Sequence, residues 1–453
     1  MKLVAVRKRH LDMNKIKNPI FAAAQQAARR RLRMTTQRHP LHRLVIPGLA
    51  AFAITASLWA QAGTKSIDST VAGSGAAAPA AQFPAGDPGN IQTIDYMVPH
   101  VSTVPANSGK RVELFVREKV RSRNRGNRSV VLMIHGATTS VVPAFDLQFE
   151  NYSWMDYLAT AGFDVFAMDQ TGYGLSPRPM MDDPCNNLSS EQQLYLLPKP
   201  LAQPCSPAYP FQLTTIQSDW DEIDTVVEYL RRFRNVDKVS LVAWSRGGPR
   251  AGGYAALHPD KVERLFLLAP GYIRLSPSNP PAVMPQPGVP SNVLGSAAFH
   301  DDWDTQVKCE NQFTPKIRGA VTSTMLDFDP LGSTWGAAGA RRAPNWNSPG
   351  PGFNSWGWNA ALASQVRVPT LLIRGDVDTK VPAVQVSDLY GDLVAAPQKV
   401  FVHVACASHY LIWENQHMSL LQASEEWLRS GTFAGQTNGS FAVDIAGQVR
   451  KDQ

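Results

Sequence analysis

Five short stretches of this chain are apolar almost from end to end: SVVLMIHG (129–136), FDVFAMD (163–169), KVSLVAWS (238–245), RLFLLAP (264–270) and PTLLIRGD (369–376). A strand with one face in water alternates apolar and polar residues, so a continuous apolar run of strand length must be covered on both faces. Further β-type runs, RVELFVREKV (111–120) and KVFVHVACASH (399–409), flank this set. Between them lie helical periods. In 214–235, Ile216, Trp220, Ile223, Val227 and Leu230 recur at spacings of three and four, after Thr and Asp residues suited to the positive end of a helix. Residues 414–431 read as a helix stopped by Gly431 and closing the sheet domain. The expected fold class is therefore α/β, with a mainly parallel, helix-covered sheet. Two insertions rich in Pro, Gly, Trp and Asn, at about 176–212 and 272–367, follow strands, where an open α/β sheet carries its binding crevice, and are expected to form a cap or lid. The Trp-rich part of the second, 346–359, points to an apolar or aromatic-lined pocket.

The first 62 residues have another character. Residues 1–43 hold twelve Lys or Arg against one Asp, a net +11 in a chain whose total is +7, so the remainder carries −4. That distribution leaves no basic patch for nucleic acid in the expected domain. The apolar run LVIPGLAAFAITASLWA (44–60), ending in small residues at Ala60 and Ala62, reads as an export signal. Its length also allows an uncleaved membrane anchor, which Pro47 and Gly48 weaken. No stable membrane partner is expected once the signal is cleaved. Met34 would make a conventional start for such a signal, with 1–33 an upstream extension. Residues 63–91, mostly Ala, Gly, Pro and Ser, read as a flexible linker, leaving 92–453 for the folded domain.

Four cysteines suit an oxidising compartment and match no zinc spacing. Cys185 and Cys205 would close a loop of about twenty residues, worth roughly 3 kcal/mol. Cys309 and Cys406 either pair with each other or remain buried thiols.

The chemistry centres on Ala243-Trp244-Ser245-Arg246-Gly247. A serine between a buried strand and a following helix, with small residues two places to either side, has the form of a nucleophile elbow. The sharp turn lifts the hydroxyl over the sheet, and only small flanking residues avoid collision. The helix start then aims its amides at a developing negative charge. Such a serine needs a base and an orienting acid, and candidates follow two later strands, at Asp376 and Asp378 and at His409.

With these residues the chain resembles the α/β-hydrolases over roughly 95–430. His135-Gly136 resembles their oxyanion loop, Asp169 to Ser176 their D-x-x-G-x-G-x-S turn, and Gly375 to Asp378 and His409 to Glu414 their acid and base loops. The resemblance implies Ser245 as nucleophile, His409 as base, Asp378 rather than Asp376 as acid, and the backbone N–H groups of Ala137 and Arg246 as oxyanion donors. Asp376 is then expected to cap its turn, and His135 to shape the oxyanion loop. His417 and the remaining histidines are expected in solvent-facing or core positions. Ala243, Trp244 and Arg246 depart from the usual pattern. Trp244 packs under the elbow or shapes a substrate pocket; the Arg246 side chain meets an acidic substrate group, a nearby carboxylate or solvent. Gly172-x-Gly174 lacks the third glycine and the acidic residue of a dinucleotide site.

The expected activity is that of an exported, esterase- or lipase-like serine hydrolase acting on a small-molecule acyl substrate through an acyl-enzyme, with no metal or organic cofactor. An amidase, peptidase or acyltransferase of the same fold is the enzymatic alternative. A non-catalytic exported binding module is the other.

Overall fold

Ten strands hydrogen-bond side by side: β1 (Ile91–Val101), β2 (Arg111–Arg121), β3 (Val130–Ile134), β4 (Asp164–Met168), β5 (Val239–Trp244), β6 (Val262–Leu268), β7 (Thr370–Gly375), β8 (Lys399–Val404), β9 (Asn438–Val443) and β10 (Val449–Lys451). This computed structural model describes residues 91–452 except 122–128, 138, 180–184, 186–192, 194–202, 207–208, 212–213, 277–282, 289–290, 330–341 and 347–357. The order across the sheet is β1-β2-β4-β3-β5-β6-β7-β8-β9-β10. From β4 to β9 every neighbour is parallel; β1, β2 and β10 add antiparallel edges. All five of the continuous apolar runs supply parallel strands.

Helices α1 (Val141–Phe145), α2 (Trp154–Thr160), α3 (Ile216–Arg234), α4 (Gly247–Leu257), α5 (Ser296–Asp304), α6 (Pro315–Asp327), α7 (Ala360–Ala363), α8 (Ala383–Asp392) and α9 (His417–Ser430) connect the strands. Two buried clusters divide the side chains of single strands. Val131 and Met133 of β3 face one with Trp154, Trp413 and Trp427; Val130, Leu132 and Ile134 face the other with Ile223, Val227 and Tyr254. Both faces are thus covered, as the lack of polar alternation requires.

Helix α3 starts one residue after Thr215, whose side chain accepts from Ser218 N while Ser218 caps in return, and it ends at Asn235 in the left-handed conformation. Two sequence expectations shift. The last helix begins at His417, because Leu411–Trp413 form a separate short turn and Glu414 turns inward. The sheet also does not end there: after Gly431 the chain returns as β9 beside β8, with β10 folded back on it.

Between β6 and β7 lie α5, α6, α7 and the short strand pair Ser291–Gly295 with Arg342–Trp346; Val283–Gly288 of the same segment pairs with Tyr209–Phe211, which precedes α3. Within the Trp-rich part of this segment, 347–357 are outside the described residues. Trp358 is fully buried in the core, where a Cβ on Gly252 of α4 would come 2.5 Å from its ring. The expected export signal and linker, 1–62 and 63–91, fall almost wholly outside the described residues; of them only Ile91, the first residue of β1, is described. Among the described residues no helix is long and apolar enough to cross a membrane. Both cysteine pairs are joined, Cys185 to Cys205 and Cys309 to Cys406.

Candidate active site

Parallel strands end on the same side of a sheet, so loops leaving β3, β5, β7 and β8 meet at one edge. Ser245 follows β5 directly and has φ 56°, a left-handed conformation that costs an L-residue about 1–2 kcal/mol. Hydrogen bonds hold it there: Ser245 N donates to Leu268 O at 2.8 Å, and Ser245 O accepts from Gly248 N and Gly271 N. The small neighbours have their reason. A Cβ on Gly247 would sit 2.5 Å from Ile134 O and 3.2 Å from the Ala243 Cβ.

The loop after β7 brings in Asp378 and the loop after β8 brings in His409. A Cβ on Gly375 would overlap the Ala407 carbonyl, so only glycine lets these loops touch. The result is a continuous chain of contacts: Ser245 Oγ lies 2.9 Å from His409 Nε2, and His409 Nδ1 lies 2.9 Å from Asp378 Oδ2. The other carboxylate oxygen of Asp378 accepts from Lys380 N at 2.8 Å and Val381 N at 2.9 Å. Burial pushes the Asp378 carboxyl up, but the imidazole and these amides outweigh it and hold it below the usual carboxylate range. With His409 Nδ1 facing a carboxylate, Nε2 is the nitrogen left to take the serine proton. Ser245 is partly exposed.

Asp376 does not join this chain, nor does it cap its own turn. Its carboxylate meets His403 Nδ1 at 2.9 Å on the half-exposed side of the sheet, and the turn amides belong to Asp378.

The oxyanion loop is built from buried polar contacts. A Cβ on Gly136 would come 3.2 Å from the Ser245 Cβ, so this peptide lies against the serine side chain. His135 is fully buried; its Nδ1 lies 2.7 Å from Gly136 O and its Nε2 accepts from Gln170 N at 3.2 Å. Tyr173 Oη donates to Ala137 O, anchoring the half-buried Ala137. The D-x-x-G-x-G-x-S turn supplies that tyrosine. Asp169 accepts from Val141 N at 2.8 Å and Leu175 N at 3.2 Å, and Ser176 Oγ accepts from Phe115 N at 3.0 Å. Gly172 and Gly174 both have positive φ.

Trp244 and Arg246 both turn inward. Trp244 is 1% exposed, its Nε1 donates to His409 O at 3.1 Å, and its ring sits 5.2 Å from Trp413. Its place is beneath the base loop, not on a surface that a substrate reaches. The Arg246 side chain is buried rather than in solvent; burial, then repulsion from Arg250, pushes it down to about 10, against the opposing pull of Tyr173 and Asp219. His417 is a core residue, stacked at 3.9 Å on Tyr152 and pushed down to about 4 by burial.

Several residues here carry no motif in the sequence. Asp219 and Glu222 of α3 are fully buried. Arg250 Nε donates to Asp219 at 2.8 Å, and Glu222 accepts from Thr171 N at 3.0 Å. Their spacing of three on a helix with an apolar face was the available signal. Glu414, by contrast, closes the base-loop pattern read in the sequence and is a buried hub: it accepts from Ser408 N at 2.6 Å, Trp303 Nε1 at 3.0 Å and Gln312 Nε2 at 2.9 Å. Gln306, from the segment between β6 and β7, reaches both the acid and the base loop. Among the described residues no group of His, Cys, Asp and Glu could hold a metal ion.

A family model described as alpha/beta hydrolase fold matches residues 129–299. The poly(3-hydroxyalkanoate) polymerase subunit PhaC of Allochromatium vinosum is 48% identical over 46 residues, 10% of this chain and 13% of that protein, so only a small part of that relative's length is spanned. Among solved structures, a thermophilic esterase from Thermogutta terrifontis has 18% identity and a TM-score of 0.46, with 74% of this chain and 98% of that one covered. A meta-cleavage product hydrolase from Pseudomonas fluorescens has 15% identity, a TM-score of 0.46 and the same coverage.

Proposed function

Starting from the α/β-hydrolase fold that the matched family model and the sheet give this chain, we propose that the protein is an exported serine hydrolase that cleaves a carboxylic ester or related acyl bond through Ser245, His409 and Asp378. The observation that carries this reading is the hydrogen-bonded line from Ser245 Oγ through the imidazole to the Asp378 carboxylate, starting at a serine in a left-handed turn. Ser245 Oγ attacks the acyl carbon as its proton passes to His409 Nε2. The carbonyl π pair moves to oxygen, where the N–H groups of Ala137 and Arg246 stabilise it. Collapse expels the alcohol, which takes the proton from Nε2 and leaves the acyl-serine. Water then attacks by the same route, giving its proton to His409, and the acid departs as Ser245 recovers a proton. Asp378 keeps the ring oriented and stabilises the imidazolium. The insertions at 176–212 and 272–367 are read as the cap over this site. The two disulfides and the apolar run at 44–60 support export.

The test is labelling by a fluorophosphonate. Wild type labels at Ser245, and Ser245→Ala and His409→Ala do not label while keeping the wild-type circular dichroism; labelling that persists in Ser245→Ala identifies another nucleophile. Turnover of p-nitrophenyl esters without turnover of matched anilides separates esterase from amidase. The stretch shared with a polymerase of 3-hydroxyalkanoates favours acyl transfer as the second reading. In that case an added alcohol competes with water for the acyl-enzyme and appears as a new ester in the products.

A further inference from the structure

We propose that Gln306 is a positioning residue, its side-chain oxygen setting the acid loop and the base loop against each other so that Asp378 and His409 stay in register. The proposal rests on the hydrolase reading above. Gln306 belongs to the segment between β6 and β7 and is fully buried. Its Oε1 accepts from Thr379 N, the residue after Asp378, at 3.1 Å, and lies 3.4 Å from the backbone N of His409 itself. One oxygen thus joins the peptide next to the acid to the peptide of the base. These loops leave different strands, so nothing local in sequence fixes their spacing.

The rest of the segment holds that oxygen in place. Gln306 N donates to Trp303 O at 3.0 Å, and Gln306 O accepts from Gln312 Nε2 at 3.3 Å. Trp303 and Gln312 both donate to Glu414, which also takes the amide of Ser408, the residue before His409. Asp302 accepts from Tyr410 Oη and pairs with Lys380, one tie to each loop. The Cys309–Cys406 bond closes the same junction covalently, three residues past Gln306 and three before His409. A brace serving stability alone would not call for an amide here. Gln306 Nε2 is buried with no acceptor among the described residues, a cost that a thioether of equal length would avoid. What the amide supplies is the oxygen between the two loops.

The experiment uses the full, disulfide-bonded chain with Gln306→Met, which keeps length and loses the acceptor, and Gln306→Glu, which keeps the acceptor and adds charge. Gln306→Met should slow fluorophosphonate labelling of Ser245 and lower kcat on p-nitrophenyl acetate by about 10- to 100-fold with KM unchanged, the scale of a misplaced catalytic group. Gln306→Glu, whose carboxyl oxygen keeps the acceptor for both backbone N–H groups, should recover most of the rate. A labelling rate for Gln306→Met within twofold of wild type, or a rate for Gln306→Glu more than tenfold below wild type, overturns the proposal; the second arm decides even where Gln306→Met fails to fold. An arm without turnover reads the His409 Nδ1–H proton by NMR in the Ser245→Ala background. That signal should be lost with Gln306→Met and kept with Gln306→Glu, and a signal unchanged by Gln306→Met refutes the clamp. Wild type that never labels overturns the hydrolase reading, and the NMR arm still judges Gln306.

Discussion

At Ser245 a strained backbone is held by hydrogen bonds on both sides, and the smallness of its neighbours makes room for the turn. Gly247 lets the turn slide under Ile134 O, and Ala243 leaves room for Gly247. Beside this turn the polar residues are under a different tension. Burial, then the nearby Asp219, pushes the Glu222 carboxyl from an ordinary 4.5 up to about 8, and burial raises Asp169 to about 7. A raised carboxyl means that the folded chain keeps a proton that the unfolded chain has lost. Its contribution is complete below the unfolded value, declines as pH rises through the window from about 4.5 to 8, and is gone above it. Urea midpoints measured from pH 5 to 9 should therefore fall with pH, Glu222 contributing at most about 1.4 kcal/mol per pH unit. Glu222→Gln, which cannot ionise, should flatten the slope; an unchanged slope would show that Glu222 does not hold its proton in the fold.

Among elements, the contact that ties the site to the sheet is the α3–α4 pair. Asp219 on α3 and Arg250 on α4 are both fully buried, and Arg250 Nη1 also donates to His135 O at 3.3 Å, reaching the strand end that starts the oxyanion loop. Removing one member leaves the other charged and unpaired, which typically costs about 3–5 kcal/mol. Asp219→Ala should lower the unfolding free energy by that amount, with the Asp219→Ala/Arg250→Met double variant recovering part of it. A loss below about 1 kcal/mol in the single variant would mean that the pair is not desolvated. The same contacts explain the glycines of α4. A Cβ on Gly248 would meet Pro270, and Gly252 and Gly253 would drive into Trp358 and Trp220.

For the whole molecule, two covalent ties bear on regions where described strands are few. Cys185–Cys205 closes 20 residues, and Cys309–Cys406 closes 97 and fastens the β6–β7 segment to the base loop. Chain entropy assigns them about 3 and 4–5 kcal/mol. A reductant should lower the urea midpoint and slow labelling of Ser245 together, and non-reducing peptide mapping of the protein isolated from its host should recover both bridged pairs; free thiols there would contradict the proposed export through an oxidising compartment.

The parallel sheet was legible from runs such as 129–136 and 369–376, because double coverage writes itself as unbroken apolarity. The tight turn at Ser245 and the order Ser245, Asp378, His409 were legible because each lies within a few residues of a strand end. The family resemblance chose Asp378 over Asp376, but the reason needed the fold: which carboxylate turns inward depends on where His403 and the Lys380 and Val381 amides lie. Trp244, Arg246, Glu222 and Gln306 also needed it: sequence shows that a side chain is large, charged or polar, but not which residues far along the chain, 165 positions away for Trp244 and His409, share its burial. Local patterns are set by neighbours along the chain, and the sequence determined them here. The spacing between acid and base is set by contacts across loops that only the packed chain brings together, and the tertiary structure alone decided it.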